Sequence, residues 1–128
     1  MIPGKYDMVV YRGGTFESGS LSRTVDDVPL NFAAYDSITL RVKQAWKHVG
    51  ILDTDTVLLT LSTITGHIVV SEDELSITIT IPISEVNALT FESGRYFLDM
   101  HIDAVGDTIA STDKLLYGKF TVLGEDDI

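Results

Sequence analysis

The chain has no cysteine, only three prolines and only nine basic residues among its 128 residues. Without cysteine there is no disulfide, no thiolate metal ligand and no cysteine nucleophile, and the redox compartment stays open. No apolar run approaches the ~18 residues that a membrane-spanning helix requires. The first seven residues have no apolar core of the kind found in signal peptides. We therefore expect a protein that is made in the cytoplasm and has no membrane partner.

The charge balance excludes a second class of partner. Nineteen acidic residues against nine basic ones give a formal net charge of −10. A protein that binds a phosphate backbone without sequence preference needs a basic stripe that displaces counterions, and this balance has the opposite sign. We therefore expect no nucleic-acid partner, and anionic membrane surfaces are unsuitable for the same reason. In the simplest interpretation, the charge keeps the protein soluble through self-repulsion.

The length and composition fit one globular domain. Hydrophobic residues make up 45% of the chain and charged residues 22%, which is ordinary for a folded protein. A chain of this length buries about two-thirds of its unfolded surface in a single core. We expect one domain over residues 1–128, with a core from about residue 6 to 123 and a polar tail over residues 124–128.

The clearest structural pattern is a long hairpin, which Gly94 to Asp103 begins and Lys114 to Leu123 completes. Apolar and polar residues alternate in the first segment, as in a strand that is buried on one face. The predicted inner residues are Tyr96, Leu98, Met100 and Ile102, followed by Leu116, Phe120 and Val122. The predicted outer residues of the first strand are Arg95, Phe97, Asp99, His101 and Asp103. A turn over Ala104 to Asp107, where Gly106 can adopt positive φ, connects the two strands.

Shorter strands with turn residues between them are predicted elsewhere. They cover Tyr6 to Arg12, Thr15 to Val25, Ser37 to Trp46, Thr56 to Thr63, Gly66 to Val70 and Leu75 to Ile81. The apolar face of the fourth of these is predicted to carry Val57, Leu59 and Leu61. Asp26 to Pro29 is predicted as a turn, and Ser84 to Leu89 as a short helix. The pattern predicts an all-β fold, an antiparallel β-sandwich of about seven to nine strands with at most one short helix near 84–89.

No residue pattern points to a catalytic or metal site. The histidines His48, His67 and His101 lack the spacing of a metal motif, and a solvated or hydrogen-bonded role is expected for each. Clustered carboxylates can bind calcium, and they occur as the Asp53–Asp55 pair and the acidic turn Glu72-Asp73-Glu74. Neither has the spacing of an EF-hand loop, so we predict no metal and no cofactor.

Enzymatic activity is not expected either. Glu17, Glu92, Asp99 and Asp103 could form the facing carboxylate pair of a glycosidase, but nineteen acids offer such pairs in any fold. No Gly-x-Ser-x-Gly elbow is present, and no Gly-Lys-Ser/Thr follows Gly13-Gly14. We therefore predict no catalytic residue.

The predicted outward-facing aromatic residues are the remaining functional signal. Phe97 and Tyr117 are expected to point away from the core on adjacent strands, and Tyr11 and Trp46 are further candidates. Large rings on an outer sheet face can stack on sugars, can be covered by another subunit, or can pack within the chain. The predicted interaction surface consists of Arg95, Phe97, Tyr117, Lys119, Trp46 and Tyr11.

The order of several short segments resembles a known family. The segments are Tyr-Arg-Gly-Gly-Thr-Phe (Tyr11 to Phe16), Pro-Leu-Asn-Phe-Ala-Ala-Tyr (Pro29 to Tyr35), Leu-Leu-Thr-Leu-Ser-Thr (Leu58 to Thr63), Gly-His-Ile-Val-Val (Gly66 to Val70), Leu-Ser-Ile-Thr-Ile (Leu75 to Ile79), Gly-Arg-Tyr-Phe-Leu-Asp (Gly94 to Asp99) and Leu-Leu-Tyr-Gly-Lys-Phe-Thr-Val (Leu115 to Val122). Together they resemble the small immunoglobulin-like β-sandwich of tailed-phage virion proteins. They are similar to the N-terminal domain of siphophage baseplate upper proteins over about Tyr6 to Leu123.

The resemblance implies a non-enzymatic structural protein of a tailed-phage virion. Its expected partners are other virion proteins (tail, baseplate or fibre subunits) and further copies of itself, and its expected location is the virion. Baseplate upper proteins continue into a long C-terminal part, whereas this sequence stops soon after Leu123, which favours an adaptor or a head decoration protein. Two other functions stay open: a carbohydrate-binding module that contacts the host surface, and a small hydrolase. A β-sandwich can carry any of these functions.

Overall fold

The computed structural model describes residues 3–44, 56–103, 105–106 and 110–124. The described part is an all-β structure with one short α-helix, α1 (Ile83–Asn87), and one 3-10 helix (Phe32–Ala34). Its strands are β1 (Gly4–Lys5), β2 (Met8–Tyr11), β3 (Phe16–Leu21), β4 (Thr24–Val25), β5 (Val28–Pro29), β6 (Ser37–Lys43), β7 (Val57–Ser62), β8 (Ile68–Val70), β9 (Ile77–Ile81), β10 (Ser93–Ile102) and β11 (Ser111–Leu123). Eight of these described strands are longer than two residues.

The strands form two main sheets and a small ribbon. The larger sheet has the order β1-β11-β10-β6-β7, with β2 also paired to β11. The smaller sheet has the order β3-β9-β8, and β4 pairs with β5 in the ribbon. The pairing is antiparallel except that β1 and β2 run parallel to β11. Buried side chains of both main sheets belong to one hydrophobic cluster, so the two sheets share a single core.

The predicted hairpin is confirmed in its main features. β10 and β11 pair antiparallel along their whole length, and Tyr96, Leu98 and Met100 are fully buried. Ile102 is only partly buried. Of the predicted turn between these strands, Gly106 has a φ of 58°, as expected, whereas Asp107 lies outside the described residues.

A bulge in β11 modifies the predicted alternation. Leu98 pairs with Leu116, but the next residue, Asp99, pairs with Lys114. Leu115 is therefore the extra residue, and its side chain enters the core, where it is 2% exposed. Asp99 is on the outer side as predicted, but it is only 8% exposed because Lys114 lies over it.

A second bulge makes one prediction wrong. Val42 pairs with Leu59 and Lys43 with Val57, so Leu58 is the extra residue of β7. The shift turns Val57 away from the core, and it is 46% exposed instead of lying on the apolar face with Leu61.

Four further elements differ from their predicted boundaries. The first predicted strand, Tyr6 to Arg12, is confined to β2 (Met8–Tyr11), and β1 precedes it as a separate strand. The second predicted strand divides into β3 and β4. The predicted turn over Asp26 to Pro29 is confined to Asp26 and Asp27, both at positive φ, because Val28 and Pro29 form β5. The short helix begins one residue before the predicted Ser84 and ends at Asn87, two residues before the predicted Leu89.

Candidate interaction surface

Cross-strand pairing places an aromatic pair on the outer face of the larger sheet. Phe97 of β10 lies directly opposite Tyr117 of β11, so both side chains project from the same face. The ring centroids are 6.4 Å apart and the planes are tilted by 43°. Such tilted pairs are favoured by the quadrupoles of the rings. Phe97 is partly buried, whereas Tyr117 is 37% exposed and forms the accessible part of the pair.

Basic residues surround the aromatic pair on the same face. Arg95 lies between Lys43 of β6 and Lys119 of β11 in one cross-strand row. Phe97 and Tyr117 lie in the next row, which is flanked by Arg41 of β6 and Lys5 of β1. The outer basic face, as we call it, consists of Lys5, Arg41, Lys43, Arg95, Lys114 and Lys119 around Phe97 and Tyr117.

The sixth basic residue, Lys114, connects the aromatic pair to a carboxylate. Its Nζ lies 3.1 Å from Asp99 Oδ1 and 4.4 Å from the centroid of the Phe97 ring. Because Asp99 is 8% exposed, a positive partner is needed to compensate its lost hydration. The cation also interacts favourably with the negative face of the ring. These contacts hold the Phe97 ring in place before any partner binds.

The outer basic face has the opposite charge to the rest of the chain. Among the residues that the structure describes, it carries six basic side chains and two acidic ones, Asp7 and Asp99. Six minus two gives +4, whereas the whole chain has a formal net charge of −10. Lys5, Arg95 and Lys119 line a depression of about 160 Å³ together with the aromatic pair. The described part of this acidic protein therefore includes a localised positive surface.

The structure brings four of the six predicted interaction residues together: Arg95, Phe97, Tyr117 and Lys119. Tyr11 is on the same side of the sheet, opposite Leu123 and 44% exposed. It lies six β11 positions from Tyr117, a distance of about 20 Å, and is separate from the cluster. Trp46 lies outside the described residues.

Sequence reasoning missed four members of the outer basic face: Lys5, Arg41, Lys43 and Lys114. Arg41 and Lys43 were on the polar side of a correctly predicted strand, which was the available signal. The sequence does not reveal that β6 pairs with β10, and this pairing is what brings their charges beside Phe97.

A separate group of carboxylates occupies one end of the larger sheet and its neighbouring turn. The acidic end, as we call it, consists of the exposed residues Asp36, Glu72, Asp73, Glu74 and Asp103. Asp103 N donates to Asp36 Oδ2 at 2.6 Å, and the Glu74 carbonyl accepts from Phe32 N at 2.8 Å. The pKa of Asp73 lies below its usual value because the carboxylate accepts two hydrogen bonds. The bond from the Ser71 hydroxyl has the larger effect, and the bond from the Leu75 amide has the smaller one.

Calcium remained an alternative for two acidic segments. Asp53 and Asp55 lie outside the described residues. Among the residues with described positions, no three or more histidine and carboxylate side chains form a group that could hold a metal ion.

One hydroxyl–imidazole–carboxylate line is present, and its geometry is that of a turn. His67 Nδ1 lies 2.6 Å from Thr65 Oγ1, and His67 Nε2 lies 2.9 Å from Glu85 Oε1. Such a line resembles the order of groups in a hydrolase triad. However, Thr65 Oγ1 accepts from the Ser62 amide at 3.0 Å and donates to the Ser62 carbonyl at 3.1 Å. The line thus closes the β7–β8 turn and connects it to α1.

His101 contacts one hydroxyl across the hairpin. His101 Nδ1 lies 3.1 Å from Thr112 Oγ1 on the paired strand. His48 lies outside the described residues.

Comparisons with known proteins add no family to these observations: no family model matches the chain, and no curated protein matches it. Within the described ranges, no helix is long and apolar enough to cross a membrane. The candidate site therefore stands on its geometry, which is an aromatic pair held by cross-strand packing and flanked by basic side chains.

Proposed function

We propose that this chain is a non-enzymatic structural protein of a tailed-phage virion. It assembles with tail, baseplate or fibre subunits, and with copies of itself, through the outer basic face. The observation that carries the proposal is the Phe97–Tyr117 pair, surrounded by six basic side chains on an otherwise acidic protein. No catalytic group and no cofactor belong to the proposed function.

The strand order supports the immunoglobulin-like part of the proposal. In immunoglobulin domains, strands B, E and D form one sheet, while C, F and G form the other, which C′ extends in variable-type domains. Here β3, β9 and β8 form one sheet, and β7, β6, β10 and β11 are neighbours in the other. Assigning B to β3 and G to β11 gives the immunoglobulin order in both sheets. The parallel strand β2 beside β11 takes the position of a strand A that has moved to the second sheet.

The physical properties of the outer basic face suit a protein contact. Its side chains project from paired β-strands, so their backbone is already ordered and costs little entropy on binding. Aromatic and arginine side chains are also the residues that most often dominate binding energy at protein interfaces. Tyr117 provides an apolar surface with a polar edge. Arg41 and Arg95 provide planar donors around the aromatic pair, on the side of Phe97.

The first test uses the double variant Phe97→Ser/Tyr117→Ser in the phage that encodes the chain. Incorporation of the variant into purified particles should fall strongly, while its circular dichroism stays that of the native chain. The matched control is Val69→Ser, which removes a 57% exposed apolar side chain from the smaller sheet. The control should be incorporated normally. Native incorporation of the double variant would show that the aromatic pair is not the assembly surface.

Immunogold labelling of particles from the source culture tests the location. Label at the tail or its tip is the expected result. Label on the capsid would keep the structural function and indicate head decoration instead. Absence of label from intact and opened particles would contradict the virion proposal. In that case, saturable glycan binding that is lost in Phe97→Ser would indicate the carbohydrate-binding alternative.

A further inference from the structure

The Lys43–Arg95–Lys119 row of the outer basic face and the acidic end lie at opposite ends of β10. Arg95 lies near the start of β10, and Asp103 follows its last residue, Ile102. Eight residues of extended chain separate the two side chains by about 26 Å. The row of Lys43, Arg95 and Lys119 is therefore well separated from the acidic end.

The acidic end also contains a concave surface. A depression of about 370 Å³ lies there, with Asp36, Glu72 and Glu74 in its lining. Apolar groups of Phe32 and Val70 contribute to the same lining. Negative charge around a partly apolar depression is complementary to the outer basic face, where positive charges surround two aromatic rings.

We propose that the outer basic face of one copy binds the acidic end of a second copy. This inference rests on the proposed function, in which the outer basic face is the assembly surface, and it names the partner. The Phe97–Tyr117 pair faces the depression, while Arg95 and Lys119 approach the surrounding carboxylates. The chain itself carries both complementary surfaces, and that is the reason to choose a second copy as the occupant.

Two symmetries satisfy these charges. In a two-fold dimer, the outer basic face of each copy binds the acidic end of the other, and both contacts form at once. In a head-to-tail contact, one face and one end stay free, so further copies add until a ring closes or a filament forms. The size of the native assembly distinguishes the two, because the first stops at a dimer and the second continues.

The salt dependence of self-association should distinguish attraction at the contact from the overall repulsion between two acidic copies. Two copies with a net charge of −10 repel each other at long range. Near physiological salt, charges more than about 8 Å apart are largely screened, so the opposed groups at the contact dominate. Near 1 M salt the screening length falls to about 3 Å, and the contact itself weakens. Association should therefore be strongest at moderate salt and weaker at both extremes.

Sedimentation equilibrium of the full chain tests the proposal with two variants. The face variant is Arg95→Gln/Lys119→Gln, and the end variant is Glu72→Gln/Asp103→Asn. Each should weaken self-association by about tenfold or more, because each removes two charges from one side of the contact. An equimolar mixture should associate more strongly than either variant alone and stop at a dimer, because one intact face and one intact end remain.

The control variant is Glu17→Gln/Glu92→Gln, which also removes two negative charges but leaves the acidic end intact. It should associate at least as well as the native chain. Association that is unchanged in the face variant, or a mixture that does not dimerise, would overturn the inference. A native chain that stays monomeric at every salt and concentration would also overturn it. If Phe97→Ser/Tyr117→Ser still loses incorporation into particles in that case, the proposed function stands and the partner is another protein.

Discussion

The two faces of the β10–β11 hairpin come from alternate residues of the same strands, yet they differ completely. The inner face contains Tyr96, Leu98 and Phe120, all fully buried in the core that the two sheets share. The outer face contains the Phe97–Tyr117 pair and basic side chains. Burial stabilises the inner face, whereas the outer residues remain accessible after folding. Mutations on the inner face should therefore lower stability, whereas mutations on the outer face should impair assembly.

The largest expected effect compares two phenylalanines on neighbouring strands. Phe120→Ala removes a fully buried ring that packs 5.9 Å from Phe91, and it should lower the free energy of unfolding by about 3–5 kcal/mol. Phe97→Ala removes a partly exposed ring and its contact with Tyr117, which should cost about 1 kcal/mol. Urea denaturation followed by tryptophan fluorescence and circular dichroism measures both values. Equal losses in the two variants would show that the outer ring is part of the core.

The second prediction concerns the position where β11 is approached by another segment. Gly118 lies opposite Tyr96, between the parts of β11 that pair with β1 and β2. A Cβ at this position would clash with the Tyr6 carbonyl oxygen and lie 2.8 Å from Asp7 Oδ1. Gly118→Ala should therefore cost about 1–3 kcal/mol of unfolding free energy, because the backbone has to move.

The control for this substitution is Gly14→Ala, whose Cβ would have the Tyr11 carbonyl oxygen as its nearest neighbour at 4.0 Å. Thermal unfolding should place the midpoint of the control near that of the native chain and the Gly118→Ala midpoint well below it. Similar midpoints would mean that the Tyr6–Asp7 segment can move without loss of packing. The inner face would then have room for a side chain at position 118.

The sequence was sufficient to predict the inner face but not the outer one. Alternation places Tyr96, Leu98 and Met100 inside because burying apolar area is a local requirement on each strand. Which strands become neighbours depends on pairings between distant parts of the chain, and polar outer faces constrain these pairings only weakly. Arg41 and Lys43 join the outer basic face because β6 lies beside β10, and Lys114 joins it because of the bulge in β11, so the sequence predicted none of the three as members.

The bulges were unpredictable for a related reason. The alternation with Phe120 and Val122 predicts Leu116 as an inner residue, and it packs partly buried against the core. Leu115 is also apolar, and it enters the core as well because Asp99 pairs with Lys114. The same holds for Leu58 and Leu59 in β7, where the shift exposes Val57. A bulge changes the face of every residue beyond it, and runs of consecutive apolar residues hide this change from a period-2 analysis.

The smallest predicted effect concerns the polar atom of the inner face. The Tyr96 hydroxyl donates a hydrogen bond to the Tyr6 carbonyl, and burial, followed by the charges of Tyr6 and Asp7, raises the pKa of this phenol above its usual value of 10.0. Tyr96→Phe should cost about 1 kcal/mol of unfolding free energy at neutral pH, because it leaves the Tyr6 carbonyl without this donor. Tyr117→Phe, on the outer face, is the control and should be nearly neutral.

The pH dependence of the unfolding free energy isolates the contribution of the Tyr96 hydroxyl. A folded-state pKa above 10.0 means that the folded chain holds the Tyr96 proton more tightly than the unfolded chain. The corresponding stability is fully present below pH 10.0 and is lost as the pH rises through the folded-state pKa. The native chain and Tyr117→Phe should therefore lose stability more steeply above pH 10.0 than Tyr96→Phe does. Parallel curves for all three in urea titrations at increasing pH would show that the inner-face hydroxyl titrates as freely as an exposed one.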